Sequence, residues 1–173
     1  MPAQAEISYR VVEHDHDHAK AIAFNMLFMV WRRRTLTTPY RRGMQLVREL
    51  YARFPEGVGV CQVVEVDAVP PDSEVRRAFI EFFKVDGLKH FSVTHDGVGF
   101  KAASVRAITS GVHALARPNC KHSVHSSVGD AAAWHEKYQA ELGRREKAAE
   151  IAKWVWDLRD FHRQQYPSEP PPR

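Results

Sequence analysis

Between residues 58 and 127 three short runs, VGVCQVVEV (58–66), LKHFSVTHDG (88–97) and CKHSVHSS (120–127), alternate with segments long enough for several turns of helix. Strands so far apart cannot be joined by a tight turn. They need crossover connections and hence parallel pairing, and right-handed crossovers lay the intervening helices against the sheet. The chain is therefore expected to be an α/β domain, and its remaining segments have to fit around a parallel sheet.

The helical segments carry their own punctuation. In TTPYRRGMQLVRELYARFPEG, Thr38 reads as an N-cap with Pro39 in the first turn, where a missing N–H costs nothing. Met44, Val47, Leu50, Tyr51 and Phe54 recur at helical spacing, and Pro55 with Gly57 ends the run. After VEVDAVPP, Asp72 or Ser73 can cap a helix reaching about Lys84. Phe100, Ala103, Ala107, Ile108, Val112 and Leu115 mark a third helix, stopped by Pro118, and Ser127 caps a fourth from about Gly129.

At the start of the chain ISYRVV (7–12) alternates as a half-buried strand does, and AIAFNMLFMVW (21–31) reads as one central strand. With EHDHDHAK between them, these two make a hairpin. The expected order is β-β-α-β-α-β-α-β-α in a small, mixed, mostly parallel sheet.

From about 129 to 165 the chain has no proline, and at about 1.5 Å per residue an unbroken helix would run roughly 55 Å, longer than a domain of this size is wide. It must break or project, and Gly143 is the weak point. Beyond it Ile151, Val155 and Leu158 lie on one stripe with Trp154 and Phe161 beside it. Such a face needs a partner surface. It either folds back on the sheet or pairs with a second copy of the chain, and these residues are the candidate interaction surface. The expected divisions are an α/β domain over 6–142, an amphipathic helix over 143–165 and a disordered tail, PSEPPPR with its preceding Tyr, over 166–173.

With 173 residues, 44% of them hydrophobic, the chain has material for one core. No window approaches the roughly 18 to 20 apolar residues of a membrane span, and MPAQAEISYR lacks the basic-then-apolar order of a secretory signal. A cytoplasmic location is expected, with Cys61 and Cys120 reduced and buried. The net charge of +4 is modest and gathers in WRRRTLTTPYRR and GRREK, with aromatics not interleaved in a nucleic-acid pattern, so nucleic acid is not an expected partner.

The order and length of these elements, and the stretch GVGFKAASVRAITSGV, resemble the STAS family, the domain shared by sulfate transporters and anti-sigma factor antagonists. The resemblance covers roughly residues 6 to 142. It implies a non-catalytic docking module in bacterial-type signalling, with a regulator, kinase or scaffold as protein partner and a phosphorylation switch at the start of the helix after the third strand. Here that junction is VEVDAVPPDSEV, which departs from the family's Asp-Ser-Ser/Thr-Gly pattern and matches it only in Asp72-Ser73. A phosphate on Ser73 would meet free N–H groups and the positive end of the helix dipole. The plainer reading is an N-cap.

Three other features bear on function. In HDHDH, the side chains of His14, His16 and His18 would share one face of a strand at about 6.5 to 7 Å spacing, wide for one zinc, although a bent turn could close them into the site of a metal sensor. Gly97 and Gly99 before a helix, with Lys101 close by, could hold an anion or lipid headgroup or could simply be a tight turn. A small-ligand or lipid-binding domain is thus the alternative to docking. Phosphate loops of the GxxxxGK[ST] or GxGxxG type and the GxSxG elbow are absent from the sequence, so neither an enzyme nor a bound cofactor is expected.

Overall fold

A computed structural model of the protein describes residues 8–98 and 119–167, with helical positions 103, 106, 107, 110, 111 and 114 between them. Six strands form one sheet in sequential order: β1 (Arg10–His14), β2 (His18–Ala23), β3 (Met26–Trp31), β4 (Val58–Val64), β5 (Leu88–Thr94) and β6 (Lys121–His125). The first two pairings are antiparallel and the next three parallel. The helices described in full are α1 (Thr37–Arg53), α2 (Ser73–Phe82), α3 (Val128–Glu141) and α4 (Ala148–Gln165). The fold is thus α/β with a mixed, mostly parallel sheet. The helix expected over 100–115 lies mostly outside the described residues.

The amino-terminal hairpin corrects the expectation. Residues 21–31 are not one strand: the chain reverses at Phe24-Asn25, where Phe24 takes a left-handed φ of 49°, and Ala23 pairs with Met26. The reversal is held by Asn25, whose side-chain amide donates to the Gly57 carbonyl and whose own carbonyl accepts from Gly59 N–H. The expected order therefore lacked one strand. The start of α1 differs as well: Leu36 is the N-cap and Thr37 the first helical residue, so Thr38 does not cap. At α2 the side chain of Asp72 accepts from Val75 N–H, and at α3 that of Ser127 accepts from Asp130 N–H.

The long carboxy-terminal segment breaks where glycine permits it. Gly143 has a φ of 74°, a conformation that costs an L-residue about 1–2 kcal/mol, and α4 turns back across the sheet. Among the described residues no helix is long and apolar enough to cross a membrane.

Each sheet face has its own core. On one, α1 and α2 bury Tyr40, Leu50, Phe79 and Phe82 against Met29, Trp31, Val60 and Phe91. On the other, Val128 and Ala132 of α3 and Ile151, Val155 and Leu158 of α4 meet Phe28, Val30, Cys61 and Val63. In β2 the alternation is strict: Ala19, Ala21 and Ala23 face α4, letting that helix approach closely, while His18, Lys20 and Ile22 face α1. Register places His18 opposite Trp31 and His14 opposite Ala19, at the end of the sheet where the parallel strands terminate. In parallel α/β sheets that end is where ligands bind.

Candidate functional site

The HDHDH stretch is the tight connection between β1 and β2, and each of its side chains has a different task. Asp15 closes the turn, its Oδ1 accepting from the N–H groups of Asp17 at 2.8 Å and His18 at 3.0 Å. Asp17 turns to the β3–α1 connection, where both carboxylate oxygens accept from the Arg34 guanidinium. His14 and His16 lie against the end of α4: His14 Nδ1 is 2.9 Å from the Tyr166 hydroxyl and its ring meets Phe161 edge-on, while His16 packs on the Tyr166 ring. His162 of α4 bonds the Asp15 carbonyl at 2.7 Å. The three imidazoles therefore do not converge, and among the described residues no three His, Cys, Asp or Glu side chains are grouped to hold a metal ion.

Only His18 points inward, and there it joins a charged network. Its Nδ1 lies 2.8 Å from Asp15 Oδ1, and its Nε2 is 2.9 Å from Glu13 Oε1 and 3.0 Å from Lys20 Nζ. Lys20 is fully buried and donates to Glu13 Oε1 at 2.8 Å. Burial, and then the Lys20 charge, push the His18 pKa down, and burial pushes that of Lys20 down as well. Burial alone would raise Glu13, but its hydrogen bonds and charge pairing with Lys20 and His18 prevail and hold it below the usual carboxylate range.

Above this network opens a cavity of about 460 Å³. Glu13, Asp15 and His18 form one wall, Leu36 to Pro39 at the start of α1 a second, and Asp72, Glu74 and Val75 at the start of α2 the third. Four carboxylates line it. Glu13 is matched by Lys20, and Arg42 Nε lies 4.0 Å away; Asp15 is matched by His18; Asp72 uses one oxygen on Val75 N–H. Among the described residues Glu74 and the second Asp72 oxygen meet no positive partner. Across the cavity Thr37 and Thr38 present the first N–H groups of α1, whose N-cap Leu36 has no side-chain acceptor to offer them. Ser73 is exposed at the first helical position of α2, beside this wall.

The apolar stripe of α4 is used up inside the chain. Ile151, Val155 and Leu158 are 0, 1 and 0% exposed against the sheet, and Trp154 packs on Phe24 and Phe28. Of the two destinations left open by the sequence, folding back is the one the structure takes, so these residues do not present an interaction surface; Phe161, half-buried, meets His14. The helix is pinned further by Arg159, whose guanidinium bonds both Glu65 oxygens at 2.7 Å and Asp96 at 2.8 Å. A Cβ at Gly97 would come within 2.9 Å of His95 Nε2, which gives this glycine a packing role. Gly99 and Lys101 lie outside the described residues.

A second buried polar group, under α3, has no signal in the sequence. His90 and Ser92 of β5 meet His135 of α3, with the two Nδ1 atoms 2.7 Å apart and His135 Nε2 2.7 Å from Ser92 Oγ. Cys61 bonds Ser92, and burial pushes its thiol up to about 12, which disfavours the thiolate while the layer is closed. All four side chains are closed off from solvent. Comparison with protein-family models, with curated proteins and with solved structures gives no match for the chain.

Proposed function

We propose that the protein is a non-catalytic binding module whose site is the cavity at the ends of the parallel strands, and that it takes a small polar ligand bearing a cationic amine. The observation that carries this reading is the distribution of charge around that cavity. The buried cation, Lys20, is neutralised from within by Glu13, whereas Asp72 and Glu74 leave negative charge on the open wall. An amine between those two carboxylates, with an acceptor atom directed to Thr37 and Thr38, would use both unmatched features. Lys20 Nζ is covered and Cys61 is sealed beneath α3, so neither meets a ligand in the cavity.

The test is a titration of the ¹⁵N-labelled chain with agmatine and, separately, with glutarate. Agmatine should shift the amides of Thr37, Thr38 and Asp72 to Val75, and Glu74→Gln should weaken that response at least threefold. Shifts produced by glutarate at these amides, or none with agmatine up to millimolar concentration, would reject the reading.

A second reading keeps the docking role implied by the STAS-like resemblance, with Ser73 as its switch. It is favoured by the exposure of Ser73 beside the same wall. Added negative charge there should strengthen amine binding, so Ser73→Asp is expected to lower the agmatine Kd two- to fivefold. An unchanged Kd would separate Ser73 from the site.

A further inference from the structure

The layer formed by α3 is held to the sheet differently from its neighbours. Its buried apolar side chains are small, namely Val128, Ala131 and Ala132, whereas α1 buries Tyr40, Met44, Leu46, Val47 and Leu50, and α4 buries Ile151, Val155 and Leu158. The rest of its buried face is polar. Gln139 exchanges two hydrogen bonds with Asn25, at 3.0 and 2.8 Å, and His135 bridges His90 and Ser92. Apolar burial is what keeps a helix docked when polar contacts fail, and α3 has the least of it.

The contact between the two imidazoles requires that at least one of them stay neutral. A bond from Nδ1 to Nδ1 needs a proton on one of these nitrogens and a lone pair on the other. Once the accepting ring is protonated, two N–H groups stand head to head and the bond is lost. Burial holds His90 down to about 4, and burial, followed by the neighbouring His90 and His125, holds His135 well below the ordinary histidine range.

We propose that α3 is an acid-released cover: protonation of the His90–His135 pair opens Val128–Glu141 from β4, β5 and β6 while the rest of the fold stays closed. The surroundings offer the pair little compensation. From β4 it faces Gly59 and Cys61, and from β6 Lys121 and His125, which share its face of the sheet by register. On α3 Tyr138 stacks on the His90 ring, Asp130 bonds Ser127 and acts on His125, and Glu141 lines a cavity of about 370 Å³ together with Lys89, Lys121 and His90. Toward α4, Glu136 is paired with Lys147. The hydrogen bonds of the pair run to each other, to Ser92 and, from His90, to the Gln139 amide, not to a carboxylate.

Release would bare Ser92 and Cys61, which supplies a chemical readout. Hydrogen exchange of the full chain at pH 7.5 and 5.0, corrected for the intrinsic rate, should show protection in 128–141 falling at least tenfold while α1 and α4 hold, since each ring favours the open state by up to tenfold per pH unit below its ordinary pKa. In a Cys120→Ser background, the rate of Cys61 with 4,4′-dithiodipyridine, divided by that of a free thiol at the same pH, should be correspondingly higher at pH 5.0. His90→Asn combined with His135→Gln should abolish both responses. Unchanged protection of 128–141, or loss in α1, α3 and α4 together, would overturn the proposal, as would a folded double variant that keeps the response. Should that variant not fold, the regional comparison in the native chain decides alone.

Discussion

Replacing Glu13 by Ala probes the network under the cavity most directly. Lys20 Nζ is fully buried and has a single carboxylate partner among its hydrogen bonds, Glu13 Oε1 at 2.8 Å; its other contact is His18 Nε2 at 3.0 Å. Removing the carboxylate strands a buried ammonium, for which a loss of about 3–5 kcal/mol is expected. Lys20→Met removes the charge with its partner still half in water, and the double variant E13A/K20M should regain most of the stability lost by E13A alone. The pH dependence has a definite sign. The folded pKa of Lys20 already lies below its ordinary 10.5, so the unfolded chain binds the extra proton between the two values and stability rises with pH in that window. Without Glu13 the folded pKa falls further, the window widens downward, and the E13A deficit should narrow between pH 7.5 and 10. Urea denaturation followed by far-UV circular dichroism measures all three quantities. A cost below about 1 kcal/mol, or a double variant as unstable as E13A, would refute the reasoning.

Other substitutions test the packing on the opposite face. Leu158→Ala should lower the stability of the chain by about 2–5 kcal/mol in a concentration-independent way, because the side chain fills the chain's own core; a deficit that depends on protein concentration would return the stripe to an interface. Gly59→Ala should be severely destabilising, since a Cβ there would lie 2.1 Å from the His90 ring inside a closed layer, and thermal denaturation reports it. At Gly143, where space is open but φ is 74°, Ala should cost only about 1–2 kcal/mol by the same measurement. At pH 7.5 the thiol of Cys61 should react with a disulfide reagent far more slowly than a free thiol, and reaction at the free-thiol rate would contradict its burial.

The parallel half of the sheet was legible because its signals are local. VGVCQVV and LKHFSVT are apolar runs of strand length, and Asp72, Ser127 and Gly143 are residues whose side chain or lack of one fixes a helix boundary. The amino-terminal half was not. HAKAIA spends three of six positions on Ala, a poor strand former that is there to admit α4, and the reversal at Phe24-Asn25 carries no glycine, so the run up to Trp31 reads as one strand. Burial of Lys20 hides the register a second time, because a lysine on an apolar face looks like a solvent-facing position until Glu13 is known to lie opposite it.

The fate of HDHDH shows the same division between local and distant causes. Its alternation suggests a repeated role, but the turn gives successive residues different directions. Asp15 and Asp17 serve the backbone and Arg34, His14 and His16 meet an element about 150 positions later, and His18 alone reaches the interior. The His90–His135 contact spans 45 positions and has no pattern at all. Titratable groups brought together by such distances are held by the packing of whole elements. Their protonation therefore acts back on that packing, and at β2 under α1 and at α3 over β5 proton binding and element docking are the same event.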